Sequence, residues 1–365
     1  MKGRAVACDA GTAAAFVRIT AHIEPPMTKH AYPDFHKALL DPATYPEAPH
    51  KIRFEETRRS WLYRTGAHVY KIRKTSTLYS SPAIKERYAQ LALTLGQRWA
   101  GNAVQAVVPL VRTDGSFALF GAGEPVDYAL RMAQLSDAHW LARLVANGKV
   151  TPALIGRLAR FVADHHADAA LEEKSADAGH PDHVHLLLDE LIYQSRKFAG
   201  QGVTEPVLEM IARPLGKYLE ENRRLLLRRP KRGHIVDGHG ALVPEHIHTH
   251  GTELHALAPL EAQAKYRVLD AANDVALLVN ALARSGADEL ADLFAKRYGS
   301  SAKDRDLGRV LPIYRILQAL RSGLARSEWA AELPPETAER NEQVREAGAW
   351  FNLALQTARE LSKPV

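Results

Sequence analysis

Cysteine is almost absent, with Cys8 alone among 365 residues. One thiol excludes an intrachain disulfide and a cysteine-rich zinc module. Long apolar runs are missing as well. No uninterrupted hydrophobic stretch approaches the roughly 20 residues that span a bilayer. The N-terminal GTAAAFV segment is followed at once by Arg18, too short an apolar core for a secretory signal. A cytoplasmic location with no membrane role is the expectation. Internal repeats are not visible, and aromatic residues make up only 7%.

What is present suits an ordinary globular chain with a core large enough for two lobes: 46% hydrophobic and 25% charged residues. The formal charge of +6 is compatible with an acidic ligand such as a nucleotide. It does not call for nucleic acid. The one concentrated basic run, Arg223, Arg224, Arg228, Arg229, Lys231 and Arg232, reads as a helix end and the loop after it.

Residues 1–31 carry no clear period and read as a flexible extension. From Asp34 a short helix ends near Pro42, because the residue before a proline disfavours helical geometry. RSWLYRT and AHVYKIRK then alternate polar and apolar side chains around Thr65-Gly66, a hairpin pattern. Further strands are expected in AVQAVVPLVRT, FALFGAGE and VDYALRM, with Asp114-Gly115 as a turn. Beyond about Ser136 the pattern is helical, with Thr151-Pro152 as a helix start and a break or kink at Pro214. Residues 171–183 form a polar loop of the kind that lies over a substrate cleft.

The densest stretch is HIVDGHGALVPEHIHTHGTELHALAPLEAQAKYRVLDAANDVALL, from His234 to Leu278. Two readings of it come from residue types alone. Asp270 directly before Ala-Ala suits a helix cap, its oxygen accepting free amides. His246, His248 and His250 alternate, so a strand over these residues projects three imidazoles from one face. Three imidazoles and a water are a known zinc arrangement, and imidazole suits transition metals better than magnesium. The bland alternative is a histidine-rich hairpin loop.

The same stretch resembles the aminoglycoside phosphotransferase family, a branch of the protein-kinase-like superfamily. Relatives carry DGHGDL followed by EH or GN, then IDxIEF. Here Asp237-Gly238-His239-Gly240, Glu245-His246, Leu260-Glu261, Asp270 and Asp274 match. A second match, ahead of it in the chain, lies in LDPATYP and SWLYRTGAHVYKIRK. The resemblance implies an α+β, two-lobed fold: a small antiparallel-sheet N-lobe over 32–133 and a larger helical C-lobe over 134–365. It implies that Lys71 meets the nucleotide phosphates, that the strand with Asp127 and Tyr128 leads to the adenine-binding hinge, and that the ligand, ATP or another small molecule, lies in the interlobe cleft. It gives Asp237, His239, Asp270 and Asp274 structural roles around the catalytic loop. The P-loop domain fused to some relatives is not expected, since no GxxxxGK[ST] element follows residue 330.

Three positions depart from the active pattern. The catalytic base position is Ala241 and the metal-ligand position is Ala258. The helix segment that should supply an acid to Lys71 runs Gln90-Leu91-Ala92-Leu93-Thr94-Leu95-Gly96. A methyl group neither accepts a proton nor binds magnesium. The expectation is a catalytically degenerate phosphotransferase, a pseudokinase holding a nucleotide, small ligand or partner protein. Two alternatives stay open. Glu245 and Glu261 could act as repositioned acids in a working kinase, or His246, His248 and His250 could serve a transition-metal enzyme.

Overall fold

The computed structural model describes residues 32–113, 115–172 and 177–362. The expected extension over 1–31, Cys8 within it, Asp114 of the expected turn and part of the polar loop lie outside the described residues. The chain opens with α1 (His36–Leu39), β1 (Arg53–Glu56), β2 (Ser60–Arg64) and β3 (His68–Arg73). Then come α2 (Pro82–Ala100), β4 (Val104–Thr113), β5 (Ser116–Leu119), β6 (Glu124–Ala133) and α3 (Leu141–Ala146). Helical structure follows in α4 (Pro152–Asp168), α5 (Pro181–Arg196), α6 (Glu205–Glu221) and α7 (Arg223–Leu226). Four short strands, β7 (Ile235–Asp237), β8 (Ile247–His250), β9 (Glu253–Ala256) and β10 (Val268–Asp270), lead to α8 (Ala272–Arg284). Helices α9 (Asp288–Ser301), α10 (Leu307–Glu332) and α11 (Ala338–Leu361) complete the chain.

Two compact units result. The first runs to Val150 and also takes in Pro244–Ala262; the second holds Thr151–Val243 and Gln263–Val365. The first unit therefore extends past residue 133 and includes the β8–β9 hairpin.

In the first unit a six-stranded antiparallel sheet has the order β1-β2-β3-β6-β4-β5. Strand β1, which the alternation did not reveal, pairs Phe54 with Tyr63 and Glu56 with Trp61. The two-residue period of a strand sends alternate side chains to opposite faces. On β3, Tyr70 and Ile72 enter a core with Phe35, Leu39, Tyr63, Val108 and Leu110. Lys71 and Arg73 are left for the other face. There Leu130, Val104 and Ala100 form a second cluster, with Ala92 and Leu93 of α2 packed against it. Gly96 permits this approach, because a Cβ on it would sit 3.0 Å from both methyls of Val104.

The second unit is helical around α8, which is buried at Ala272 through Asn280 and again at Leu282. Thr151 caps α4 by accepting from the Leu154 amide at 3.2 Å, as the Thr-Pro start implies. Pro214 lies inside a continuous α6, and the break comes at Asn222 instead. The basic run contains one residue that is not on the surface. Arg229 is 1% exposed, and its guanidinium pairs with both Asp270 oxygens and, at 2.9 and 2.8 Å, with both Asp304 oxygens. Burying three charges is tolerable because four of the five N–H groups of this fork find a carboxylate.

Removing one member leaves buried charge unpaired, a loss on the order of 3–5 kcal/mol. Arg229→Met is therefore expected to lower the urea-unfolding free energy by about that amount, whereas a loss below about 1 kcal/mol contradicts the pairing.

Candidate functional site

In the second unit the DGHG loop follows β7, which pairs antiparallel with β10 in the register Asp237↔Val268 and Ile235↔Asp270. Both strands are only three residues long, so other contacts must hold the loop. Asp274, in the first turn of α8 and 2% exposed, supplies them. Its Oδ2 accepts from the His239 amide at 2.6 Å and its Oδ1 from the Gly240 amide at 2.7 Å. The His166 Nε2 stands 3.1 Å from Oδ2, while its Nδ1 lies 2.8 Å from the Tyr298 hydroxyl. Burial pushes the Asp274 carboxyl up, but the bond from His166 and the neighbouring histidine charges carry it below the usual range.

Two glycines are dictated by this geometry. A Cβ at Gly238 would meet Asp274 Oδ2 at 2.4 Å, and Gly240 has φ +70°, the left-handed region. His239 is fully buried, and its Nδ1 accepts from the Ala241 amide at 3.3 Å. Asp237 pairs with the Arg267 guanidinium, and the Gly240 carbonyl accepts from Arg321 at 2.8 Å. Asp270 accepts from the Ala272 amide at 2.9 Å while holding Arg229. The four loop residues singled out in the sequence thus all make bracing contacts. Ala241, directly after this braced turn, presents a methyl group.

The first unit contains the Lys71 side. A cavity there is lined by Lys71, Arg73 and Lys85, by Ala92 and Gly96 of α2, and by Ala258 and Glu261. Glu261, 4% exposed, pairs with Arg73 and accepts from the Tyr79 hydroxyl at 2.8 Å. Burial raises its carboxyl, but Arg73 and then Lys71 outweigh this and hold it below the ordinary value. This acid is therefore committed within its own unit. Glu245 lies in the 3-10 turn Pro244–His246, ahead of β8.

Asp127 and Tyr128 lie mid-strand on β6, with Ala129 to Ala133 between them and the strand's end. Asp127 is 3% exposed and bound to Lys85 of α2 at 2.5 Å. Burial lifts its carboxyl above the usual value and the Lys85 charge opposes this. Glu86 is exposed and hydrogen-bonds the Tyr128 hydroxyl rather than Lys71. Lys71 itself is pushed down to about 7, first by burial and then by the Arg73 charge, with Glu261 pulling the other way.

The histidines do not gather as the alternation suggested. His246 ends the 3-10 turn, and only His248 and His250 lie on β8. His248 donates from Nε2 to the Ser136 carbonyl at 3.1 Å, and burial lowers its pKa. His250 stands against His139, their ring centroids 4.7 Å apart. Among the described residues no group of three histidine, cysteine, aspartate or glutamate side chains is placed to hold a metal ion.

Magnesium fits no better. It requires a near-octahedral set of oxygens, and Ala258 brings none. Its backbone is unusual: φ is +56°, immediately before Pro259. Left-handed geometry costs an ordinary residue roughly 1–2 kcal/mol, and a following proline restricts it further. Asp and Asn tolerate this conformation better than alanine does.

Sequence reasoning missed Arg73, Tyr79, Lys85, Arg229 and His166. Arg73 was within reach, since it shares the Lys71 face of β3 by the two-residue period. Lys85 precedes Ala92 by two helical turns and so shares its face.

No family model matches the chain. It is 24% identical over 257 residues to uncharacterised protein Rv2004c of Mycobacterium tuberculosis H37Rv, and matches Mb2027c of Mycobacterium bovis to the same degree. These alignments take in 69% of this chain and 50% of each relative, so the chain spans about half the length of the curated relatives it matches. Among solved structures, a choline/ethanolamine kinase family protein from Mesorhizobium loti superposes with a TM-score of 0.50 at 12% identity, over 89% of this chain and 98% of that one. A thermostable mutant of aminoglycoside phosphotransferase APH(4)-Ia gives 0.50 at 11%, over 86% and 96%. The fold is protein-kinase-like, of the aminoglycoside phosphotransferase and choline kinase type. An antiparallel-sheet unit and a helical unit make it up, and no helix of the described residues is long and apolar enough to cross a membrane.

Two measurements test this geometry. Lys71 binds a proton only below about 7 in the fold and up to the ordinary 10.5 when unfolded. Between these values the unfolded chain holds more protons, so stability rises with pH. The unfolding free energy of wild type relative to Lys71→Met is expected to increase from about pH 7 to about pH 9; a constant difference contradicts the burial. Ala258→Gly relieves the left-handed strain and is expected to stabilise the protein by about 0.5–1 kcal/mol. An unchanged or lower denaturation midpoint speaks against that backbone conformation.

Proposed function

We propose that this protein is a catalytically degenerate small-molecule phosphotransferase homologue, a pseudokinase that binds a nucleotide, small ligand or protein partner without transferring phosphate. One observation carries the reading. The bracing of the DGHG loop by Asp274 is complete, while Ala241 and Ala258 stand where the base and metal ligand are expected. Phosphoryl transfer draws its rate from positioning and from charge stabilisation by magnesium. In this reading the chain retains positioning elements, while positions 241 and 258 offer no side-chain oxygen to bring the ion.

The working-kinase alternative asks Glu261 to leave Arg73 and Tyr79, which would strand the buried Tyr79 hydroxyl and take the carboxylate from a partly exposed guanidinium. The transition-metal alternative asks three histidines to converge that stand apart. Nucleotide use by kinase-like neighbours, and the choline, ethanolamine and aminoglycoside substrates their names indicate, supply the ligand classes to try first. Lys71 is the residue assigned to the anionic part of a nucleotide. A protein partner remains the other occupant this reading allows.

Purified protein is expected to show no magnesium-dependent ATP turnover with choline, ethanolamine or aminoglycosides as acceptors. The double substitution Ala241→Asp with Ala258→Asp restores a base and a metal ligand, and is expected to raise magnesium-dependent ATP hydrolysis by about a hundredfold over wild type. Robust wild-type turnover that disappears in Lys71→Met would sink the proposal.

A further inference from the structure

The Lys71 cavity has an unbalanced electrostatic inventory. Arg73 has Glu261 and Lys85 has Asp127, whereas the Lys71 amine donates no hydrogen bond among the described residues. Three cations thus face two carboxylates. The helix wall opposite Lys71 adds nothing that accepts a hydrogen bond, since Ala89, Ala92 and Gly96 carry no polar side-chain atom. Tyr88 and Tyr128 also line the space. The Lys71 ammonium is drawn to Glu261 only through space and shares that carboxylate with Arg73, so among the described residues it lacks a hydrogen-bonded partner of its own.

The size of the space limits what can answer it. Its volume is about 30 Å³, room for about two water-sized groups. That is far below the several hundred Å³ of a site for a nucleoside or sugar. A divalent anion would reverse the local imbalance, while a monovalent one cancels it.

We propose that the cavity beside Lys71 is a binding site for a small monocarboxylate of the size of formate or acetate, held by the Lys71 amine against the Ala89–Ala92–Gly96 face of α2. The two carboxylate oxygens accept from Lys71, and the short apolar remainder meets the alanine methyls. A carboxylate here would compete with the nucleotide phosphate that the proposed function brings to Lys71, and the test below contains no nucleotide, so failure of one reading leaves the other standing. It behaves as a proton-linked site, because the bound anion requires a charged Lys71, whose proton leaves near pH 7 in the empty cavity. Arg73, Glu261, Lys85 and Asp127 keep their own partners throughout.

The test is thermal unfolding of the full chain in sodium formate, acetate, benzoate and chloride at equal ionic strength, followed by calorimetric titration at two pH values. Formate and acetate are expected to raise the melting temperature saturably, while benzoate and chloride do not. Affinity is expected to fall up to about tenfold per pH unit above about 7, with proton uptake seen as a dependence of the heat on buffer ionisation. Lys71→Met should abolish the response. Ala92→Glu, which tethers a carboxylate in the same space, should also abolish it while raising the melting temperature of the ligand-free protein. Equal responses to formate and chloride, or a formate response that persists in either folded variant, would overturn the proposal.

Discussion

A single buried carboxylate holds the DGHG loop. Asp274 accepts the amides of His239 and Gly240 and faces His166, inside a helix start that is itself almost entirely buried. Without it, two backbone N–H groups and a ring nitrogen would lie buried and unpaired, each at a cost of about 1–3 kcal/mol. The loop's glycines follow from the same constraint, since only a residue without Cβ lets the Gly238 backbone come this close to the Asp274 oxygen. The shape of the loop is therefore maintained by folding stability and does not require catalysis. That explains how a chain can keep Asp237, His239 and Asp274 while carrying alanine at 241.

The opposite logic applies to carboxylates whose main work is chemistry. An acid at 241 or 258 aimed at substrate or metal pays a desolvation or repulsion cost in the free protein, and removing it releases that cost. At 258 alanine is not comfortable, because the backbone remains left-handed ahead of Pro259. The first unit shows a parallel adjustment. Glu261 is tied to Arg73 and Tyr79, and Lys85 to Asp127, so four of the five charged groups around the cavity are satisfied internally. Lys71 has no hydrogen-bonded partner among the described residues, and burial and then the Arg73 charge outweigh Glu261 to lower its affinity for its proton.

Local rules made much of the fold legible. Alternation in RSWLYRT and AHVYKIRK located β2 and β3, and Thr151-Pro152 marked the start of α4. The kinase-like architecture came from resemblance, since periodicity alone describes a strand-rich start and a helical remainder. Strand β1 escaped because Arg53 to Glu56 is short and only partly buried. Pro214 was read as a break, yet tertiary packing carries α6 through it. At the site, the losses at 241 and 258 could be read directly, since they are residue identities. The ion pairs could not: Arg73–Glu261 joins positions 188 residues apart, and Arg229, within a basic run that looked solvated, is the most deeply buried cation described. Nor could the alternation of His246, His248 and His250 show that a 3-10 turn removes the first of them from the strand.

The most direct test of the central claim is the affinity of the wild-type protein for ATP, measured by calorimetry in excess Mg2+ and again in EDTA. If the loop survives as scaffold while the metal-binding chemistry is gone, the dissociation constants agree within about a factor of two, a difference of roughly 0.4 kcal/mol. Binding that tightens tenfold or more with Mg2+ would mean that other oxygens hold the ion, and would contradict the account.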